Sequence, residues 1–240
     1  MEAVILAGGQ GTRMQGVNKN IPKIILEING KPFLYWLIKQ LQSNGTKKII
    51  LCLGIKHELI TNAIKIYDFE DIDIKFFIEK EQLGTGGALI SILDMIENDN
   101  FIFMNGDSMF NIPIKKLYST HIKNKNDLTY SLKKLDCQNT AYGGICVKNN
   151  GQIISHVMSD SNSEDKLIDA GLRIVNKSKM IEYKNQNTYP ISFETDIGPE
   201  FIKKQKSIGL IYDFEFFDIG NPQSYKYTKL NFAKMIDSYE

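Results

Sequence analysis

The stretch AVILAGGQGTRMQGVNKNIPK, Ala3–Lys23, decides the fold. It opens with Val4-Ile5-Leu6, a short apolar run of the kind that forms a strand buried on both faces. Gly8, Gly9 and Gly11 follow directly, then Thr12 and Arg13, with Lys23 behind a proline. Glycines without a Cβ let the backbone turn tightly and bring its N–H groups up to a ligand. Such donors beside fixed cations describe a cradle for a polyphosphate. The plainer alternative is a glycine-rich strand–turn with a surface arginine. Two rival phosphate motifs fail. A dinucleotide fingerprint requires glycine where Met14 stands, and no Gly-Lys-Ser/Thr completes a Walker loop.

Working outward, the first half alternates strand and helix patterns. Pro32–Ser43 reads as a helix with Leu34, Leu37, Ile38 and Leu41 on one face and Gly45 past its end. Ile49–Leu53 and Ile74–Ile78 read as strands, with a helix through Leu59, Ile60, Ala63 and Ile64 between them. Gly86–Ile96 continues as helix and Phe101–Met104 as strand. This rhythm predicts an α/β, Rossmann-like sheet, mixed but mostly parallel and covered by helices on both faces. Binding sites in such sheets gather at the carboxyl ends of the strands. The second half holds shorter strands: Leu128–Leu132, Gly143–Val147, Ile153–Val157, Gly171–Val175 and Gly209–Phe217. The middle pair is joined at Asn149-Asn150-Gly151, and an amphipathic helix follows Pro222. No Pro/Ser-rich linker interrupts the 240 residues, so a single domain is expected.

Composition narrows the class. Apolar content of 42% can fill a core, and a formal charge of +1 gives no reason to expect nucleic-acid or membrane partners. Cys52, Cys137 and Cys146 form no CxxC pair and read as packed free thiols, which fits a reducing cytoplasm. No apolar run has transmembrane length, and the first residues read as a strand instead of a signal peptide. His57, His121 and His156 lack metal-ligand spacing and read as surface or packing residues.

Three further constellations carry chemistry. KEQLGTGGA, Lys80–Ala88, places Gly84, Gly86 and Gly87 where a flat base could lie against the backbone, with the Thr85 hydroxyl beside them; a tight strand–helix turn reads equally well. Asp107, in Asn105-Gly106-Asp107 after a strand, suits Mg²⁺ beside a phosphate or, more plainly, a helix cap. Asp218 in EFFDIGNP supplies a second carboxylate, with Asp213 and Glu215 as weaker rivals on the same strand.

LAGGQGTRM with IPK, LGTGGA, the strand-ending NGD and FFDIGNPQSY together resemble the nucleoside-triphosphate:sugar-1-phosphate nucleotidyltransferases, over nearly the whole chain. Within them the chain looks most like the D-glycero-D-manno-heptose 1-phosphate guanylyltransferases. The resemblance implies a nucleotide-diphospho-sugar transferase fold, with residues 1–125 as nucleotide-binding half and 126–240 as acceptor-binding half. Arg13 and Lys23 would be the catalytic cations. Leu6, Ala7, Gly8, Gly9, Gly11, Thr12, Gln82, Gly84, Thr85 and Gly87 would hold the nucleotide, and Asp107 and Asp218 would ligate Mg²⁺. The implied reaction moves a nucleoside monophosphate, GMP favoured, onto a sugar 1-phosphate for capsule or lipopolysaccharide synthesis. The implied partners are a triphosphate and a phosphorylated small molecule, with homo-oligomerisation possible. In the acceptor half Tyr142-Gly143 matches the family pattern, whereas Glu164 and Lys166 only approximate its Glu-Lys pair. Asp169 stands where the family has Asn, exchanging a donor for a negative charge. A cytidylyl or other transferase with an unusual phosphorylated acceptor, or a non-catalytic nucleotide-sugar binder, are the alternatives this departure raises.

Overall fold

The computed structural model describes residues 1–9, 21–136, 144–148, 150–157, 165–184, 189–204, 206–233 and 235. In chain order the first half contains β1 (Glu2–Ala7), β2 (Glu27–Ile28), β3 (Lys31–Pro32), α1 (Phe33–Ser43), β4 (Lys48–Leu53), α2 (His57–Lys65), β5 (Asp73–Ile78), α3 (Gly84–Ser91), β6 (Asn100–Asn105), β7 (Ser108–Phe110) and α4 (Ile114–Asn124). The second half contains β8 (Leu128–Asp136), β9 (Gly144–Val147), β10 (Ile153–Val157), β11 (Asp165–Asn176), α5 (Lys177–Ile181), α6 (Gly198–Lys203), β12 (Ser207–Tyr212), β13 (Phe216–Asp218) and α7 (Pro222–Asn231).

Seven strands form one sheet in the order β12-β8-β11-β6-β1-β4-β5. The pairs β6-β1, β1-β4, β4-β5 and β12-β8 are parallel, and β11 runs antiparallel to both of its neighbours. Alternate residues enter opposite cores, as the pleat demands. Ala3 and Ile5 join α1, α4 and α7 on one face, while Val4 joins α3 and α6 on the other. This is the mixed, mostly parallel sheet with helices on both faces. Among the described residues no helix is long and apolar enough to cross a membrane. Cys52 is buried and Cys146 exposed, both as free thiols; burial pushes the Cys52 thiol up.

Two sequence expectations are corrected. The run Gly86–Ile96 is not one helix: α3 ends at Ser91 and a single 3₁₀ turn, Leu93–Met95, follows. Leu89, Ile90, Ile92, Leu93 and Ile96 are all buried, so the apolar pattern carries no mark of the break. Gly209–Phe217 is likewise not one strand. β12 stays on β8 at the sheet edge, whereas β13 leaves to pair antiparallel with β7. Between them Asp213 turns out to Lys133 (2.9 Å) and Glu215 lends its carbonyl to the Asn111 N–H (3.0 Å). α7 starts after a reciprocal cap in which Asn221 Oδ1 accepts the Ser224 N–H (2.9 Å) and Ser224 Oγ accepts the Asn221 N–H (3.2 Å).

His121 is a packing histidine, held neutral between α4 and the sheet. Its Nε2–H donates to Asn100 Oδ1 (3.0 Å), which also accepts from Asn176 Nδ2 (3.2 Å). Nδ1 then accepts the Thr129 hydroxyl (2.9 Å), whose oxygen takes the Asn126 amide (3.1 Å). Burial pulls the imidazole down to about 4. The folded value lies below the unfolded one, so the contribution is present above about pH 6.5 and is lost as pH falls toward 4. Urea melts of the wild type should therefore lose about 2 kcal/mol between about pH 7.5 and 5 relative to His121→Gln. Equal pH dependence in the two proteins would contradict this role.

Candidate active site

β1 and β6 run parallel with Leu6 opposite Asn105, so their carboxyl ends open side by side. The Gly106 N–H closes onto the Leu6 carbonyl (2.9 Å), and a Cβ at Gly106 would collide with that oxygen. Only glycine lets the chain turn here, and the turn delivers Asp107 beside the Gly8-Gly9 loop. β13 then brings in the second acid. Asp218 stands opposite Ser108 in the β7 pairing, and the Ile219 N–H bonds the Asp107 carbonyl (2.8 Å). Two acids separated by more than a hundred residues of chain are thus brought together, Asp107 in the turn before β7 and Asp218 at the end of β13. The Asp218 side chain accepts the Gly220 N–H (3.0 Å).

Lys23 reaches the same point from the short 3₁₀ turn Lys23–Ile25, and its ammonium is bonded to Asp107 Oδ2. Both side chains remain about a quarter exposed. They open onto a cavity of about 400 Å³ whose walls include Ala7, Gly9, Lys23, Thr85, Asp107 and Glu194. Leu6 also borders it. Among the described residues no three His, Cys, Asp or Glu side chains gather as a metal cage. Two hard carboxylates with room for water and phosphate suit Mg²⁺, which keeps much of its hydration shell. That Asp107 already attracts one cation fits the same use. Asp213 and Glu215 are both exposed and play no part in this arrangement.

The KEQLGTGGA loop forms the strand–helix turn, one of its two readings, with Gly84 opening α3. Gly84 has φ +77°, and a Cβ there would strike the Ile191 carbonyl. The Gly86 and Gly87 N–H groups both donate to Ile191 O, at 2.8 and 3.2 Å. These glycines admit residues 189–197 of the same chain. The Thr85 hydroxyl is likewise engaged, donating to Glu194 (2.6 Å) and accepting the Phe193 N–H (2.7 Å). Gln82 is exposed at the loop's edge. The polar group facing the Gly8 turn is instead Glu79, at the end of β5. A Cβ on Gly8 would come within 2.5 Å of Glu79 Oε1, and the Leu83 N–H reaches Glu79 Oε2 at 3.5 Å. Burial raises the Glu79 carboxyl, only partly offset by that N–H.

On the acceptor side, Asp169 does not present a bare charge. Its carboxylate accepts the Gly171 N–H (2.9 Å) and the Arg173 Nε–H (2.6 Å). Arg173 is buried, lies over the rings of Phe103, Phe193 and Tyr130, and also donates to Glu194 (3.2 Å) and Asn105 (3.3 Å). The repulsion of a phosphate expected from Asp in place of Asn is therefore cancelled by a guanidinium. Lys166 lies on β11 opposite Leu135. Gly11, Thr12, Arg13, Tyr142, Gly143 and Glu164 lie outside the described residues.

Residues 2–234 match the family model described as nucleotidyl transferase. The chain belongs to the nucleotidyl transferase family. It is 35% identical to a D-glycero-alpha-D-manno-heptose 1-phosphate guanylyltransferase of Aneurinibacillus thermoaerophilus, over 94% of this chain and 96% of that one. A protein of the same name from Campylobacter jejuni is 34% identical over 96% of this chain and all of its own length. The crystal structure of HddC from Yersinia pseudotuberculosis superposes with a TM-score of 0.84 at 32% identity, covering 96% of this chain and 99% of that one. A second HddC structure, complexed with GMP-PN, gives 0.83 over the same spans.

A nucleotidyltransferase needs charge neutralisation and positioning more than a protein base, because a phosphate oxygen is already a nucleophile. The arrangement at the ends of β1, β6 and β13 offers both. Lys23, Asp107, Leu6, Ala7 and Gly9 line the cavity there from three separate stretches, and Asp218 stands on the strand end whose next residue bonds the Asp107 backbone. Glu79, Arg173 and Glu194 were not singled out from sequence. Glu79 immediately precedes KEQLGTGGA, but nothing in its spacing shows that it faces Gly8. Arg173 sits among apolar residues of a strand, where a charge is itself a signal of a buried partner.

Proposed function

We propose that this nucleotidyltransferase transfers GMP from GTP to a heptose 1-phosphate, giving a GDP-sugar and pyrophosphate. The observation that carries the reading is the Lys23–Asp107 pair at the mouth of the parallel sheet, with the Asp218 strand end bonded to the Asp107 backbone and Glu79 beside Gly8. The triphosphate lies along the Gly8-Gly9 turn toward Lys23, with Arg13 completing the cradle by family resemblance. An acceptor phosphate oxygen attacks the α-phosphorus in line, and the bond to the bridging oxygen of pyrophosphate breaks. Lys23 neutralises charge on the phosphoryl oxygens. Asp107 and Asp218 would hold Mg²⁺, which screens the α-phosphate when bound. Residues 1–125 serve mainly the nucleotide and residues 126–240 mainly the acceptor. A sugar activated in this way is the substrate class for glycosyl transfer, in keeping with a role in surface glycan synthesis.

Glu79 supports guanine over the other bases. A carboxylate is acceptor-only and can take two parallel donors. Guanine offers two such donors side by side, N1–H and N2–H. Uracil and thymine offer one N–H flanked by carbonyl oxygens, which a carboxylate repels, and cytosine and adenine each place a bare ring acceptor next to their amine. A site built around a hydrogen-bonding pair rejects ligands that lack it more strongly than an apolar site does. With GTP, ATP, CTP, UTP and dTTP each offered beside D-glycero-α-D-manno-heptose 1-phosphate, pyrophosphate release should be fastest with GTP. Glu79→Gln should lower kcat/KM for GTP by about 1.5–3 kcal/mol, roughly ten- to over a hundredfold, while lowering UTP less. Because burial raises this carboxyl, GTP affinity should also weaken as pH falls, and Glu79→Gln should flatten that dependence. Unchanged base preference in the variant would remove Glu79 from the base site.

A further inference from the structure

The cavity has two unlike walls. On one, the Lys23 ammonium meets Asp107, a balanced pair. On the other stands Glu194, which shares the single guanidinium of the buried Arg173 behind it with Asp169, leaving one negative charge over. That excess is not spread evenly. Asp169 is 12% exposed and closed in by Gly171 and Arg173, whereas Glu194 is 35% exposed and forms part of the cavity wall.

Glu194 is also held with unusual care for a residue facing solvent. It lies on a π-helical turn, Phe193–Ile197, a rare geometry found most often at functional sites. One oxygen takes the Thr85 hydroxyl at 2.6 Å and the Ser192 hydroxyl at 3.3 Å, and the other takes Arg173 at 3.2 Å. Burial alone would raise this carboxyl, but Arg173 and Thr85 more than reverse it, so it stays ionised at neutral pH. The Ser192 hydroxyl contact, at 3.3 Å, is long enough for a better donor to compete with it. An ionised carboxylate repels phosphate, and the base already has its own carboxylate in Glu79. What remains in a phosphorylated sugar or nucleoside is a set of hydroxyl donors.

Resting on the proposed transfer to a sugar 1-phosphate, we infer that Glu194 is a substrate-binding residue that accepts hydrogen bonds from sugar-ring hydroxyls, with Arg173 and Thr85 as the residues that position it. The unlike walls then orient the substrate: phosphate toward Lys23, hydroxyls toward Glu194. Hydroxyls of this kind occur on the GTP ribose and on the acceptor sugar, and the two sources can be separated by deleting hydroxyls one at a time.

The test uses the full chain with Glu194→Gln, which keeps the side chain's shape, and Glu194→Ala as a harsher second variant. Thermal melts of each establish that the protein assayed is folded. Steady-state kinetics would compare GTP with 2′-deoxy-GTP and 3′-deoxy-GTP, and D-glycero-α-D-manno-heptose 1-phosphate with analogues each lacking one ring hydroxyl. With intact substrates, Glu194→Gln is expected to lower kcat/KM at least about tenfold, chiefly through the KM of one substrate. With the analogue lacking the recognised hydroxyl, wild type and variant should differ by less than about threefold, because the interaction has already been removed. Convergence on a deoxy-GTP assigns Glu194 to the ribose, and convergence on a deoxy-acceptor assigns it to the acceptor; either supports the inference. The same penalty with every analogue, or no penalty with intact substrates, overturns it. Failure of the wild type to turn over any sugar 1-phosphate would instead strike the underlying reaction. In that case calorimetric titration of wild type and Glu194→Gln with GTP and with the heptose 1-phosphate decides: equal affinities for both ligands overturn the inference.

Discussion

Asp107→Asn and Asp218→Asn are each expected to lower kcat on the order of a thousandfold, the scale of losing several kcal/mol of metal-supplied charge stabilisation. Asp107 directly precedes β7, Asp218 ends β13 opposite Ser108, and the Ile219 N–H bonds the Asp107 carbonyl, which makes the two acids candidates for one shared ion. Their effects should therefore be non-additive, since losing either ligand already loses the metal. Manganese titration followed by calorimetry gives a readout independent of turnover, and each single variant should weaken binding as much as the double. The fold should be nearly unaffected. Asp107→Asn also gives up its ion pair with Lys23, but the pair is about a quarter exposed, so solvent screening limits that loss to within about 1 kcal/mol. If the two kinetic losses multiply, or either variant retains wild-type metal affinity, the shared site is wrong.

Arg173→Met should have the largest effect on stability of any change near the site. It strands the nearly buried Asp169 and the cavity-wall Glu194 with no cation between them. Breaking a buried ion set by removing one partner costs about 3–5 kcal/mol. At about 2–4 °C per kcal/mol for a chain of this size, Tm should drop by roughly 6–20 °C. Neutralising the orphaned acids should restore much of it, so Arg173→Met with Asp169→Asn and Glu194→Gln should melt well above Arg173→Met alone. A triple variant no more stable than the single would mean that Arg173 acts through its ring contacts with Phe103 and Phe193 instead of through charge.

Much of this architecture was legible in the chain because it follows from local pattern. β1, β4 and β6 carry continuous apolar runs, α1 carries its stripe at helical spacing, and the strand-ending glycines and acids announce where ligands can sit. What was hidden depends on contacts that have no period. Thr85 meets Glu194 across 109 positions and Lys23 meets Asp107 across 84, distances that no window reads. The glycines of LGTGGA illustrate the ambiguity: a missing Cβ admits any close neighbour, ligand or chain, and the neighbour found here is the chain's own 189–197 segment. Gly209–Phe217 looked like one strand because apolar residues continue through it, and only the partners of Asp213 and Glu215 reveal the break. α4 was passed over although Pro113 precedes it and Ile114, Leu117 and His121 share its buried face.

Phosphorus NMR of the wild-type protein with GTP, Mg²⁺ and D-glycero-α-D-manno-heptose 1-phosphate follows every phosphorus atom in the proposed exchange. Loss of the sugar phosphate signal with matched growth of pyrophosphate and of two coupled diphosphate resonances from a GDP-sugar is the predicted result. Release of inorganic phosphate with GDP, or of GMP without a new sugar nucleotide, would contradict transfer to the sugar phosphate.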